Sequence, residues 1–513
     1  MYIDPDSNVY LLSNVPLDST YANTIYFSSK EAQESYFKSK LLYSNAPEDP
    51  RPFRFSKIQY IRISPTGENS FEAQIEPHNV DNIFKVNYIM VQNDIYQHKW
   101  FYGFVTSVNM KSNRNWQITF ELDVMQTYLF DYDLKECFIE RQHVSDDTIG
   151  KHTLPEPIDL GDYKAIQSFG TDTFLDYRVI MATSKSLEGT HAGIYGGMVS
   201  GLTYLNYPLT DNGIYQLTES LKIIEENGWE DSIASLYIMP NFYFTTGKSP
   251  VQHEITFTQR DNLDGYKPRN NKLYCYPFNL LYMHDSCGNG HELRFEDFTA
   301  STIKFKIYSV TSCNPEIVCV PLNYRGEGRA FNYKLVINAF PQIAYSIDTF
   351  KAWLAQNAGV TAIGLAGTLA GGALSGAAGN IGGVLSAGVG AASTIAGLVA
   401  KSNLAPSVRG NSGGSALIAN NVLDFYFLQL CQKAEYLRMA DDFLDKYGYS
   451  YMRLGVPHRN TRPQWNYIKT RDCTIVGSLP MDVANQICKI YDKGITFWKH
   501  ANNVGNYSLN NTV

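Results

Sequence analysis

Strand-like alternation of apolar and polar positions runs through the first third of the chain. Residues 55–63 and 71–75 are rich in β-formers and are separated by Ser64-Pro65-Thr66-Gly67, a turn signal. Residues 87–120 predict a long hairpin system with strands at 89–91, 100–105 and 116–120 and a polar loop at 111–115. Runs at 121–128 and 140–147 follow. From 213 to 235 the spacing turns helical, on Tyr215, Leu217, Leu221 and Ile224 and then from Trp229 to Ala234. Strand-like runs return over 265–345, among them 273–276 and 302–308. Residues 420–447 carry the apolar spacing of one or two helices, through Val422, Phe425, Phe427, Leu430, Ala434, Leu437, Phe443 and Leu444. A last helix is predicted over 481–491, opened by Pro480 and stopped at Gly494. The class these periods predict is α+β, β-rich and multidomain. The divisions fall at 1–165 (β-rich), 166–265 (mixed α/β), 266–350 (β-rich), 351–415 (a long apolar loop) and 416–513 (a C-terminal segment with helices).

The apolar loop obeys neither period. Lys351 and Lys401 enclose 49 residues, 352–400, without Asp, Glu, Lys, Arg or His; 12 are Gly and 14 are Ala. Larger apolar side chains are threaded through it, including Leu354, Ile363, Leu365, Leu369, Leu374, Ile381, Val384, Leu385, Val389, Ile395, Leu398 and Val399. A bilayer core is crossed by roughly 20 helical residues, so the stretch is long enough for two crossings and a turn. Asn380, next to Gly379 and just before Gly382 and Gly383, is the natural turn, because Gly and Asn accept positive φ. The halves are then 352–379 and 381–400. Small residues four apart recur at Gly367 and Gly371, Gly372 and Gly376, and Gly379 and Gly383, a spacing that lets helix backbones approach closely in lipid. In water each Gly costs a helix about 1 kcal/mol against Ala, so the stretch is a poor autonomous helix there. It is also less hydrophobic than a Leu-rich anchor. The composition predicts a segment that stays soluble while shielded and enters lipid when released. The same residues also allow a shielded plug that never meets lipid, a linker, or a buried helix pair. Linkers, however, are more polar, and core helices keep a solvated face. Pro406 and residues 410–415 (Gly-Asn-Ser-Gly-Gly-Ser) form the loop leading back to the folded body.

Composition narrows the partners. The chain has 513 residues, which predicts three or four domains. It carries 43 basic and 50 acidic side chains, a formal charge of −7, with 44% hydrophobic and 18% charged residues. That balance excludes a disordered chain and lacks the clustered cationic excess that phosphate binding needs. Aromatic residues at 13% favour strands and large subunit contacts. The start, Met1-Tyr2-Ile3-Asp4-Pro5-Asp6, has no basic or apolar leader region, so no signal peptide is expected. Eight Cys without a Cys-x-x-Cys pair predict reduced thiols, with Cys313 and Cys319 as buried hydrophobes.

Candidate chemistry is sparse. Thr246-Gly247-Lys248-Ser249 resembles the end of a phosphate loop, but position 242 is Phe where Gly is required and Pro250 stands where a helix should begin. His284, Cys287 and His291, with Asp285, offer metal donors without a second spaced pair, and a polar turn is the simpler expectation. The acidic pairs Asp146-Asp147, Glu225-Glu226 and Asp441-Asp442 diverge on either a strand or a helix and are expected at a solvated surface. Gly410-Asn411-Ser412-Gly413-Gly414 matches a nucleophile elbow only in letters, since no strand runs into it. No catalytic residue, metal or cofactor is assigned, and a non-enzymatic role is expected.

Several runs, in order, resemble the distal tail (tail knob) proteins of small short-tailed phages of the picovirus group. They are Phe101-Tyr102-Gly103-Phe104; Phe120-Glu121-Leu122-Asp123-Val124-Met125-Gln126-Thr127; Phe138-Ile139-Glu140-Arg141-Gln142-His143 with Asp147; and Pro155-Glu156 with Gly161-Asp162-Tyr163. Next come Asn271-Lys272-Leu273-Tyr274-Cys275-Tyr276-Pro277, then Gly290, Glu296 and Phe298, then Pro321-Leu322-Asn323-Tyr324 and, before the apolar loop, Phe340-Pro341 and Asp348-Thr349-Phe350-Lys351. The resemblance covers roughly residues 80–500. It implies tail-tube-like β-barrel or sandwich domains in a homo-hexameric tube at the virion tail tip, joined to other tail and collar proteins and assembled in the host cytoplasm. It further implies hydrophobic loops that plug the lumen and then form a pore in the host cytoplasmic membrane for genome ejection. Viral DNA would pass without sequence-specific binding. Six copies would carry a formal charge of −42, and an acidic wall repels phosphate. A receptor- or cell-wall-binding tail protein without membrane insertion is the alternative reading.

Overall fold

A computed structural model describes residues 7–44, 61–75, 82–93, 99–171, 177–187, 194–196, 202–208, 210–244, 251–285, 289–300, 302–309, 311–338, 340 and 425–513. The chain folds as two compact units. The first comprises Met1–Asp159, Pro268–Leu273 and Glu435–Val513, and the second comprises Leu160–Lys267 and Tyr274–Ala434.

The first unit holds a six-stranded antiparallel sheet in the order Leu41–Ser44, Ser7–Ser13, Val86–Asn93, Trp100–Met110, Asn115–Leu122, Glu68–Gln74. The expected hairpin system is its centre, with Tyr88 opposite Phe104 and Met110 opposite Trp116. The strand Asn115–Leu122 buries every second residue, Trp116, Ile118, Phe120 and Leu122, as a half-buried strand should. A five-stranded sheet joins the two ends of the chain in the order Asn23–Ile25, Ile495–Trp498, Trp465–Arg471, Cys137–Gln142, Tyr449–Gly455. Helix Met481–Lys493 begins after Pro480 and stops at Gly494, whose φ of 102° a side chain would resist. It buries Val483, Ile487, Ile490 and Tyr491 in one cluster with Tyr132 and Phe497.

The second unit contains three sheets. One runs Tyr163–Gly170, Tyr426–Gln432, Asn279–His284, Gly290–Leu293; another runs Ile194–Gly196, Thr203–Pro208, Tyr177–Thr183, Ile233–Pro240. The third runs Val251–Phe257, Ile303–Ser309, Ile317–Tyr324, Glu327–Arg329, with Leu335–Ile337 also paired to Ile317–Tyr324. A single hydrophobic cluster includes residues of all three.

Three sequence expectations are corrected. The helical pattern over 213–235 ends at Glu226: helix Asp211–Glu226 is closed by Gly228 at φ 66°, and Ile233–Pro240 is a strand buried at nearly every position. Residues 273–276 are not a strand, because Asn271–Tyr274 forms a 3-10 turn. Within 420–447, helix Ala434–Tyr447 is present, but Tyr426–Gln432 is a central strand that buries Phe427, Gln429 and Cys431 at a period of two. The run predicted over 55–63 lies mostly outside the described residues. Among the described residues no helix is long and apolar enough to cross a membrane.

Candidate functional site

A network of buried polar side chains gathers around the segment Pro268–Leu273. This segment has no strand partner, so its backbone donors must be satisfied elsewhere. Carboxylates take them. Asp441 accepts from Arg269 N at 2.7 Å, Asn270 N at 3.0 Å and Asn270 Nδ2 at 2.7 Å, and Asp147 accepts from Asn271 N at 3.0 Å. Asp441 and Asp445 lie one helical turn apart on Ala434–Tyr447 and so face the segment together. Asp445 accepts from Asn270 Nδ2 at 2.6 Å and Arg269 Nε at 2.8 Å. Its burial pushes the carboxyl above its ordinary range, with Asn270 and Arg269 opposing.

Beside them Glu156, whose side chain is fully buried, forms an ion cluster. It accepts from Arg141 Nη1 at 2.6 Å, Ser450 N at 2.9 Å, Ser450 Oγ at 3.0 Å and the Lys272 ammonium. Lys272 is itself only 2% exposed and lies 5.3 Å from the Tyr449 ring centroid. Tyr449 donates to Asp147 Oδ1 at 2.6 Å. His143 closes the arrangement: Tyr467 N–H donates to its Nδ1 at 2.7 Å, which leaves Nε2–H to donate to the Asp445 carbonyl at 3.0 Å. Burial, with Arg462 adding to it, lowers the His143 pKa to about 3.

A second buried polar centre lies at the end of the hairpin system. Asp123 caps the short helix Val124–Thr127 through Gln126 N at 3.1 Å and accepts from Tyr88 Oη at 2.8 Å. Burial raises its pKa to about 6. Gln126 reaches Thr24 Oγ1 at 2.8 Å and Ile25 O at 2.9 Å, and Gln33 Nε2 donates to Gln126 O at 2.8 Å. In both centres the carboxylates are occupied by backbone and side-chain donors. The arrangement holds chain segments together.

The sequence-derived candidates fall as follows. The whole apolar stretch 352–400, with every residue singled out in it, lies outside the described residues, as do Thr246–Ser249, Cys287 and 410–414. His284 and His291 do not converge. His291 is register partner to Met283, the neighbour of His284, so the two side chains take opposite sheet faces. His284 stacks between Tyr282 and Tyr426, both at 5.4 Å, while His291 Nε2 meets Lys334 O at 3.2 Å. Among the described residues no three His, Cys, Asp or Glu side chains are placed to share a metal ion. Asp147 and Asp441, expected at a solvated surface, are instead tied into the buried network, while Asp146 and Asp442 are exposed. The signal overlooked was the company some of these charged groups keep. Asp123, Arg141, His143 and Lys272 stand in or beside apolar, strand-like runs, where a charge is costly unless paired.

Comparison with known proteins decides the family. Residues 243–512, more than half the chain, match the family described as Bacillus phage phi29, tail knob protein gp9, C-terminal domain. The chain belongs to the tail knob protein family. Residues 5–133 of this tail knob chain also match the caudoviral major tail protein N-terminus. It is 25% identical to the tail knob protein gp9 of Bacillus phage phi29 and 24% identical to that of Bacillus phage B103, each over 99% of this chain and 98% of the relative. Its fold matches that of the bacteriophage C1 tail knob protein gp12 with a TM-score of 0.66 at 14% identity, over 99% of both chains. The β-rich α+β class read from the sequence is the class of this tail knob fold.

Proposed function

We propose that this tail knob chain is a structural subunit of the distal tail tube of a short-tailed phage, present as a ring of six and attached to other tail components. In this reading segment 352–400 plugs the lumen before infection. On release it inserts into the host cytoplasmic membrane as helical hairpins, since a spanning segment must satisfy its own backbone groups. The hairpin arms are 352–379 and 381–400, turning at Asn380, with Gly367, Gly371, Gly372, Gly376, Gly379 and Gly383 at the close-packed face. The full-length likeness to tail knob proteins supports the tube role. The observation that carries the membrane role is the 49-residue run without one ionisable side chain. The net charge of −7 per copy suits a wall past which DNA slides without adhering.

Dye release from phosphatidylethanolamine–phosphatidylglycerol vesicles tests this. Gly372→Asp combined with Leu374→Asp places two charges inside the proposed spanning arm, at about 2.5–3.5 kcal/mol each for a bilayer-centre position. The ring should assemble as in the unmodified chain while dye release is lost; undiminished release overturns the membrane role.

A further inference from the structure

A cleft of about 480 Å³ opens in the first unit, within the size range of small-ligand sites. Its walls come from the first turns of helix Lys30–Ser39, the start of strand Trp100–Met110, and the turn after helix Val124–Thr127. Most of the lining side chains are polar. The charges among them are already matched. Asp131 accepts from the Lys99 ammonium and lies 3.7 Å from that of Lys30, and Glu34 lies 2.5 Å from Lys38. A charged ligand would be attracted by one member of each pair and repelled by the other. A hydroxyl group both donates and accepts, so it can bond a lone pair that a carboxylate leaves open, or a proton that an ammonium leaves open, while the ion pair stays closed.

The neutral groups of the cleft point the same way. Tyr102 lines the cleft and is buried, its ring 4.7 Å from that of Phe37, and its phenol is a hydrogen-bond donor at neutral pH. The Gln33 side chain is fixed by its Nε2 on Gln126 O, so its amide orientation is set before any ligand arrives. Trp100 lines the cleft half-buried, with its ring 5.1 Å from that of Tyr10 and the Lys38 ammonium 5.7 Å from its centroid, and supplies an aromatic wall. We propose that this cleft is a saccharide subsite for a neutral pyranose of a surface polysaccharide, with Trp100 as the wall and Tyr102, Glu34 and Asp131 as hydroxyl partners. The subsite would give the knob an affinity for the cell surface separate from any action of segment 352–400.

Isothermal titration of the full chain with maltotriose and tri-N-acetylchitotriose, alongside glycerol phosphate and inorganic phosphate, tests it. At least one neutral trisaccharide should bind saturably and neither phosphate compound should compete with it. Trp100→Ala should weaken binding about tenfold or more. Tyr102→Phe, which keeps the ring and removes only the hydroxyl, should weaken it about threefold with an unchanged melting temperature, so the test survives a Trp100 variant that fails to fold. Absence of binding by both sugars, wild-type affinity in the Tyr102→Phe chain, or displacement of the sugar by phosphate overturns the proposal.

Discussion

At the scale of single residues, two buried groups give the first unit opposing responses to acid. His143 is held as the Nε2–H tautomer by one donor and one acceptor. Protonating it would set Nδ1–H against Tyr467 N–H, and its pKa falls to about 3. In the unfolded chain it titrates near 6.5. Its contribution to stability is therefore complete above about pH 6.5 and is lost as pH falls from there toward 3. Asp123 has the opposite sign. Its folded pKa of about 6 lies above its unfolded value near 3.8, so its contribution is complete below about pH 3.8 and is lost as pH rises through 6. Between about pH 6 and 4 the two slopes offset each other, and below that range only the His143 loss continues. His143→Gln, which retains an amide donor and acceptor, should leave a shallower decline between pH 4 and 3. Urea midpoints at pH 7, 5 and 3.5 measure this, and an unchanged acid slope would refute the assignment.

At the scale of elements, the segment Pro268–Leu273 shows how much of a fold can rest on a few charges. Breaking a buried ion pair from one side strands the partner's charge and costs about 3–5 kcal/mol. Lys272→Met leaves Glu156 with Arg141 still in place, so the loss should fall near the lower end, at about 3 kcal/mol. Tryptophan fluorescence in urea reads it well, because Trp465 donates Nε1–H to the Asp445 carbonyl at 2.7 Å, inside the same network. A midpoint equal to that of the unmodified chain would show that Arg141 alone suffices. The elements themselves were legible where one period held without interruption. The hairpin strands over 87–120 and the helix after Pro480 follow from alternation and from Pro and Gly signals. Legibility failed where two periods abut. Val422 to Leu444 contains a strand of period two running into a helix, and a single helical template fits the combined list. The buried network was illegible for another reason. It joins residues 116 and 294 apart in sequence, Glu156 to Lys272 and to Ser450, and no local pattern encodes such a pairing.

At the scale of the whole molecule, the described residues on either side of the apolar stretch are anchored in one core. Phe340 and Phe425 flank it, and both are buried in one hydrophobic cluster of the second unit, against Tyr237 and Tyr243 with ring centroids 6.5 and 6.4 Å apart. Just beyond Phe425, the strand Tyr426–Gln432 is paired on both edges, to Tyr163–Gly170 and Asn279–His284. The chain therefore leaves one core and returns to it, and the returning strand is fixed by its neighbours. If 352–400 is a detachable arm, replacing it with a short Gly/Ser linker shortens a connection whose closure cost grows only slowly with length, and the body has little to lose. Calorimetry should find the melting temperature shifted by no more than about 4 °C, the scale of roughly 1 kcal/mol in a domain of this size. Vesicle leakage should vanish in the same protein. If the stretch instead served as a buried helix pair, its removal would strip the core of many apolar side chains and lower the melting temperature far more. A deletion variant that is stable, melts cooperatively and has lost a leakage that the full chain causes is thus the outcome expected of a detachable arm.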